Sequence, residues 1–204
     1  MSVHVVDYGM SNLGSIKRSL EECGADVVVS DDPRDLGAAS HIVLPGVGAF
    51  CDGMANLHNL GWIEAIRNVV LKDNIPMLGI CLGMQLLADI GYEGGEVPGL
   101  GLIPGEVKRL EPDSPTTRIP HVGWNEIYKT KPTSLFEGIP DGSDFYFVHS
   151  YHLVPKQPEH IIATTPYCGG FVSGVNSGSV FGVQFHPEKS QRIGFKLLRN
   201  FLQI

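Results

Sequence analysis

Through the first ninety residues, short apolar runs alternate with segments of helical spacing. Val3–Asp7 is a run suited to a buried strand. Ser11 is placed to cap a helix in which Leu13, Ile16, Leu20 and Cys23 share a face, and Gly24 ends it. Val27–Ser30 reads as a second strand and His41–Leu44 as a third, stopped by Pro45-Gly46. Trp62, Ile63, Ile66, Val69 and Val70 recur at helical spacing. Pro76–Ile80 reads as a fourth strand and Leu82–Ile90 as the helix after it. This alternation predicts an α/β fold, a doubly wound, mostly parallel central sheet flanked by helices. After residue 95 the pattern changes. Gly101–Leu110, Asn125–Lys129, Asp144–Val154, Ile161–Thr165, Gly170–Val175 and Ser179–Phe185 read as strands joined by Gly/Pro turns. Only Gln191–Leu202 reads as helix. The second half is therefore expected to be antiparallel and strand-rich, with a closing helix. No Gly/Ser-rich linker or internal repeat interrupts the chain, so residues 1–204 are expected to form a single domain.

Composition narrows the function classes. The formal net charge is −7, against the basic face that phosphate neutralisation requires, so no nucleic-acid partner is expected. A hydrophobic fraction of 43% with only 18% charged residues fits a sizeable core and excludes a disordered chain. The first residues carry no basic, then apolar, leader pattern, and no run reaches the ~20 apolar residues of a membrane span. A reducing, cytoplasmic setting is expected, with no membrane partner. None of the four cysteines forms a CxxC pair, so neither zinc nor a disulfide framework is expected. No residue constellation calls for a metal or another cofactor. Cys23 belongs to a helix's apolar face, and Cys51 and Cys168 sit in loops without a matched base. His4 and His41 fall in apolar strands and are expected to be hydrogen-bonded core residues.

Two segments carry chemistry. Gly79-Ile80-Cys81-Leu82-Gly83 places a cysteine between a buried strand and a helix, the context of a nucleophile elbow. The glycines make room for a tight turn, and free N–H groups at a helix start favour a thiolate. The Leu82 N–H, next to the nucleophile, is placed to donate to an oxyanion. An inert buried cysteine with packing glycines would use the same residues. His186-Pro187-Glu188 follows the apolar strand Val180–Phe185. In extended chain, residues i and i+2 face the same way, so Glu188 can orient His186 while His186 takes a thiol proton. A helix-capping cluster is the plainer reading. The order nucleophile, His, then acid two residues on fits neither an α/β-hydrolase nor a papain-like protease.

Gly79-Ile80-Cys81-Leu82-Gly83-Met84-Gln85 with Phe185-His186-Pro187-Glu188 resembles the class I, triad-type glutamine amidotransferases. Within them the chain is similar to the glutaminase subunits of imidazole glycerol phosphate synthases of histidine biosynthesis. Asp7-Tyr8-Gly9-Met10-Ser11-Asn12, Leu44–Phe50, Gly101–Gly105, His121-Val122-Gly123-Trp124-Asn125, Tyr146–Tyr151 and Gly182–Ser190 extend the likeness almost end to end. Paralogues that supply ammonia for amidating surface-polysaccharide sugars are also similar, particularly around Ile90–Gly95 and Thr165–Phe171.

The resemblance implies a flavodoxin-like fold and a reaction. Cys81 would attack the side-chain amide of L-glutamine, His186 would shuttle the proton, and Glu188 would orient His186. A γ-glutamyl thioester would form and be hydrolysed. The Leu82 N–H and one amide among Gly46, Val47 and Gly48 would hold the oxyanion. Loss of one such donor costs ~10²–10³ in rate, so the orientation of that loop is a candidate on-switch. Gln85, His149, Ser150 and Tyr151 would hold the substrate. The ammonia would pass to a second subunit, a (β/α)₈-barrel cyclase forming a heterodimer, with Asn12, Trp124 and Lys189 on the contact face. Two other classes remain open on the residues alone. One is a cysteine peptidase or γ-glutamyl hydrolase on a related scaffold. The other is a non-catalytic module, which would be expected to have lost Cys81, His186 or Glu188.

Overall fold

The computed structural model describes residues 2–204. The apolar runs become strands β1 (Ser2–Val6), β2 (Asp26–Ser30), β3 (His41–Gly46) and β4 (Met77–Cys81). Between and after them stand helices α1 (Leu13–Glu22), α2 (Phe50–Asn59), α3 (Trp62–Leu71) and α4 (Leu82–Leu86). Two short strands, β5 (Ile90–Gly91) and β6 (Val97–Pro98), lead into β7 (Gly105–Arg109) and β8 (His121–Lys129). Then come β9 (Ser143–His149), β10 (Tyr151–Pro155), β11 (Ile161–Thr165), β12 (Phe171–Ser177), β13 (Val180–Val183) and α5 (Gln191–Phe201).

One nine-stranded sheet runs β2-β1-β3-β4-β13-β12-β11-β8-β9. Its first five strands are parallel and the remainder antiparallel. The doubly wound half and the antiparallel half thus share one sheet. A second, four-stranded sheet, β10-β7-β5-β6, lies beside it. Side chains alternate across β3 and β4. Ile42, Leu44 and Met77 join the helix α2–α4 residues Phe50, Met54, Trp62, Ile66 and Leu86 on one face. Val43, Leu78 and Ile80 join Ile16 and Leu20 of α1 and Leu197, Leu198 and Phe201 of α5 on the other. Parallel strands buried on both faces explain the unbroken apolar runs.

Four sequence expectations are corrected. β3 does not stop at Leu44: Pro45 and Gly46 continue it, in register with Ile80 and Cys81. Ser11 does not cap α1; Asn12 holds the cap position, and the Ser11 hydroxyl donates to the Pro45 carbonyl at 3.2 Å. α4 ends at Leu86 rather than near Ile90. The carbonyls of Leu86, Leu87 and Ala88 instead accept N–H groups from Leu100, Leu102, Ile103 and Gly101, contacts made across the fold. Helix α2 is an addition to the expected elements, because its N-terminus has no side-chain cap of its own to mark it. The Phe50 N–H donates to the Glu93 carboxylate, 43 residues away, at 2.9 Å.

Candidate active site

Strand β4 enters helix α4 at Cys81, with φ +54° and ψ −109°. A non-glycine residue holds a positive φ only where the surroundings enforce it. Those surroundings are backbone. A Cβ on Gly79 would stand 2.7 Å from the Gly83 carbonyl oxygen, and one on Gly83 only 1.8 Å from the Leu44 carbonyl oxygen. The glycines of the elbow therefore let α4 close down on β3, with Cys81 at the turn. Its sulfur lies 3.8 Å from the Val148 carbonyl, to which the thiol donates, and 3.7 Å from Nε2 of Gln184.

His186 follows β13, buried and held through its backbone. Its N–H donates to the Tyr146 carbonyl at 2.9 Å, and its carbonyl accepts the Ser190 hydroxyl at 2.6 Å. Nδ1 stands 2.8 Å from Oε1 of Glu188, so Nδ1 carries the hydrogen and Nε2 is left for Cys81. Nε2 makes no hydrogen bond among the described residues, so it is the ring atom left free beside Cys81. Burial opposes charge on His186. The Cys81 side chain and the hydrogen-bonded Glu188 carboxylate favour the charged ring, outweigh burial and raise the imidazole to about 9. The ring is thus poised as a proton donor beside the sulfur.

A cavity of about 290 Å³ opens onto Cys81. Leu82, Val47, Gly48, Gln85, Glu93, Pro120, and the segment Val148–Tyr151 line it. That is the small end of ligand pockets, which run from ~300 Å³ upward, and suits an amino acid better than an extended peptide. Gln85 is buried and spends both hydrogens of Nε2 internally, on the Tyr151 carbonyl at 2.8 Å and on Gln184 Oε1 at 3.2 Å. Its carbonyl oxygen remains for a ligand. Of the three loop residues expected to offer an oxyanion donor, Gly46 is a strand residue paired with Cys81, and Val47 and Gly48 line the cavity. The Val47 N–H is already given to the Met10 carbonyl at 2.8 Å.

The glutamine amidotransferase class-I family model matches residues 4–204. The chain belongs to that family. The imidazole glycerol phosphate synthase subunit HisH of Moorella thermoacetica is 50% identical, over 98% of this chain and 93% of its own length. The HisH 1 subunit of Campylobacter jejuni strain RM1221 is 46% identical, over 99% of this chain and all of its own. Among solved structures, a glutamine amidotransferase of Thermotoga maritima has the same fold, with a TM-score of 0.72 at 20% identity over 100% of this chain and 96% of its own.

In this amidotransferase the remaining expected residues fall on the surface around the cavity mouth or elsewhere. Trp124 is 48% exposed on β8, edge-on to Tyr146 of β9, and exposed Lys189 stands over the same Tyr146 ring at 5.9 Å. Exposed Val122 extends that face. Asn12 is exposed just after Met10, whose carbonyl holds the Val47 amide. Two further site residues, Glu93 and Gln184, lie in segments that carry the resemblance, which implies no role for them. Glu93 lies on a loop between β5 and β6 and reaches the cavity only through the fold. Burial pushes its carboxyl up, against the Phe50 hydrogen bond. Gln184 is fully buried and joins Gln85 to the Cys81 sulfur. A glutamine inside the apolar run Val180–Phe185 is the available signal for it. Among the described residues no helix is long and apolar enough to cross a membrane.

Proposed function

We propose that this amidotransferase is the glutaminase subunit of an imidazole glycerol phosphate synthase, acting in the cytoplasm as a single domain over residues 1–204. The observation that carries the chemistry is the Glu188-oriented His186 beside Cys81, the one of the three that lines an amino-acid-sized cavity. L-Glutamine enters with its side-chain amide toward Cys81. The sulfur attacks the amide carbon, and the developing oxyanion is met by the Leu82 N–H. His186, protonated and oriented by Glu188, gives its proton to the departing nitrogen, so ammonia leaves and a γ-glutamyl thioester remains. Water, deprotonated by the now neutral His186, then hydrolyses the thioester to glutamate and frees the Cys81 sulfur for another turnover. Gln85 offers its free carbonyl oxygen to the substrate, with the backbone of His149, Ser150 and Tyr151 facing the amino-acid end. The Glu93 carboxylate supplies the negative charge that an α-ammonium group requires.

The second oxyanion donor is the regulated part. Val47 can serve only after its bond to Met10 breaks. The exposed residues Val47, Val122 and Trp124 border the cavity mouth or its adjoining strand, and support a partner seated there with Asn12 and Lys189 in its contact face. The partner is a (β/α)₈-barrel cyclase that takes the ammonia, and its docking releases the Val47 amide. The experiment is glutamate production from glutamine by the chain alone, with the barrel cyclase, and with the cyclase plus its nucleotide substrate, with Cys81→Ala as control. Activation by cyclase and nucleotide, lost in the mutant, is the expected result. Cysteine-dependent activity indifferent to this cyclase would redirect the partner to a sugar amidotransferase and overturn the pathway assignment.

A further inference from the structure

His121 and His149 face each other on neighbouring antiparallel strands and pair directly in register. Their side chains form part of a continuous hydrogen-bonded chain. Asn125 Nδ2 lies 3.2 Å from His121 Nε2, His121 Nδ1 lies 3.1 Å from His149 Nε2, and His149 Nδ1 lies 2.9 Å from the Tyr151 carbonyl oxygen. The direction of this chain is fixed from both ends. A carbonyl only accepts, so His149 Nδ1 must carry a hydrogen, and the bare Nε2 of neutral His149 must accept from His121 Nδ1–H. At the other end the Asn125 carbonyl oxygen takes the Glu126 N–H at 2.9 Å, so the Asn125 amide N–H₂ faces His121 Nε2, which must be bare. The two ends demand the same neutral tautomer at both rings. Protonating either ring would bring two hydrogens to one contact. Burial acts the same way, pushing His121 down to about 4 and His149 down to about 3.

The chain ends at the substrate cavity. The Tyr151 carbonyl also accepts from Gln85 Nε2 at 2.8 Å, so both of its lone pairs are occupied, one from α4 behind Cys81 and one from His149. His149, Ser150 and Tyr151 all line the cavity, whereas His121 does not. We propose that His121 is a positioning residue for glutamine binding, directing a one-way hydrogen-bond chain that fixes the 149–151 backbone against Gln85. The inference rests on the glutaminase reading above. A residue that holds a binding segment acts on KM, while the triad that sets kcat keeps its own hydrogen bonds.

His121 also stacks on Tyr167, with ring centroids 4.0 Å apart, so packing must be separated from hydrogen bonding. His121→Phe keeps the ring and removes both nitrogens. His121→Asn removes the ring but sets an N–H₂ near the place of Nδ1, able to donate to His149. The full chain, assembled with the barrel cyclase and its nucleotide substrate, is assayed for glutamine turnover. Loss of one buried hydrogen bond predicts a glutamine KM raised about tenfold in His121→Phe, with kcat changed less than about threefold. His121→Asn is expected nearer to wild type than His121→Phe. In wild type, nitrogen-15 spectra of both imidazoles should show the neutral Nδ1–H tautomer at pH 7. The reverse order of the two variants, a fall in kcat at unchanged KM, or an Nε2–H or charged ring in wild type would overturn the proposal. If His121→Phe fails to fold, the wild-type spectra and the KM of His121→Asn decide. If wild type turns over no glutamine in the assembly, the glutaminase reading fails, and the spectra still judge the hydrogen-bond chain.

Discussion

Gly83→Ala adds one methyl group to a residue that performs no chemistry, yet it should cost most of the activity. The added Cβ would stand 1.8 Å from the Leu44 carbonyl oxygen, a backbone atom that no side-chain rotation can move. Reaching even 3.0 Å requires β3 and α4 to separate by about 1.2 Å. α4 begins at Leu82, the proposed first oxyanion donor, and β3 leads into Val47 and Gly48, the proposed source of the second. The substitution therefore pulls apart the two halves of the site. Overpacking of this kind costs ~1–3 kcal/mol. For a chain of this size that lowers Tm by roughly 2–12 °C. A misplacement of about 1 Å at reacting groups can cost ~10²-fold in rate. The assay is glutamate release in the assembled complex, with a thermal melt and the rate of Cys81 alkylation by iodoacetamide measured on the same preparation. Gly14→Ala is the control: it lies in α1, a Cβ there meets nothing within 4 Å, and it should leave turnover unchanged. A folded Gly83→Ala protein with turnover within threefold of wild type would refute the argument.

Three further outcomes are expected. Glu188→Gln removes a charge that holds His186 at about 9. A raised histidine contributes stability that is complete below its ordinary value near 6.5 and is lost as pH climbs through about 9. The wild-type advantage in Tm over Glu188→Gln should accordingly shrink between pH 6.5 and 9, and a constant gap would count against it. His121, His149 and His152 are pushed down by burial, to about 4, 3 and 4. The unfolded chain takes up their protons first, so stability should fall as pH drops from about 6.5 toward 4, as acid titration of the melt would record. Glu93→Gln keeps an acceptor for the Phe50 N–H but loses the charge facing the cavity. A charge-assisted hydrogen bond of ~1.5–3 kcal/mol predicts a glutamine KM raised roughly 10- to 150-fold, and an unchanged KM would remove Glu93 from the substrate site.

Much of this protein is legible in its sequence wherever a feature depends on near neighbours in the chain. Apolar runs four or five residues long, punctuated by glycine and proline, specify β1, β2, β4 and β11 closely, and for β1 and β4 burial on both faces leaves little choice of residue. The elbow is legible in part for the same reason: Gly79 is fixed by the Gly83 backbone one turn on, whereas the need for Gly83 comes from the Leu44 carbonyl on β3. The His186–Glu188 pairing is legible too, though not its geometry: Glu188 reaches Nδ1 from a short 3-10 turn, Pro187–Lys189, that begins at His186, and not along the extended chain expected. Features whose partners come from distant segments emerge only when the chain is packed. Helix α2 is capped by Glu93, and α4 is cut short by the segment 100–103. Gln184 meets Cys81 across 103 residues, and Val47 is held by Met10 on a different loop. The tautomers of His121 and His149 are set by an amide at one end and a carbonyl at the other. Local preference is a property of a few residues, whereas a hydrogen bond that closes a site requires donor and acceptor to arrive at one point, and only the packed sheet brings them there.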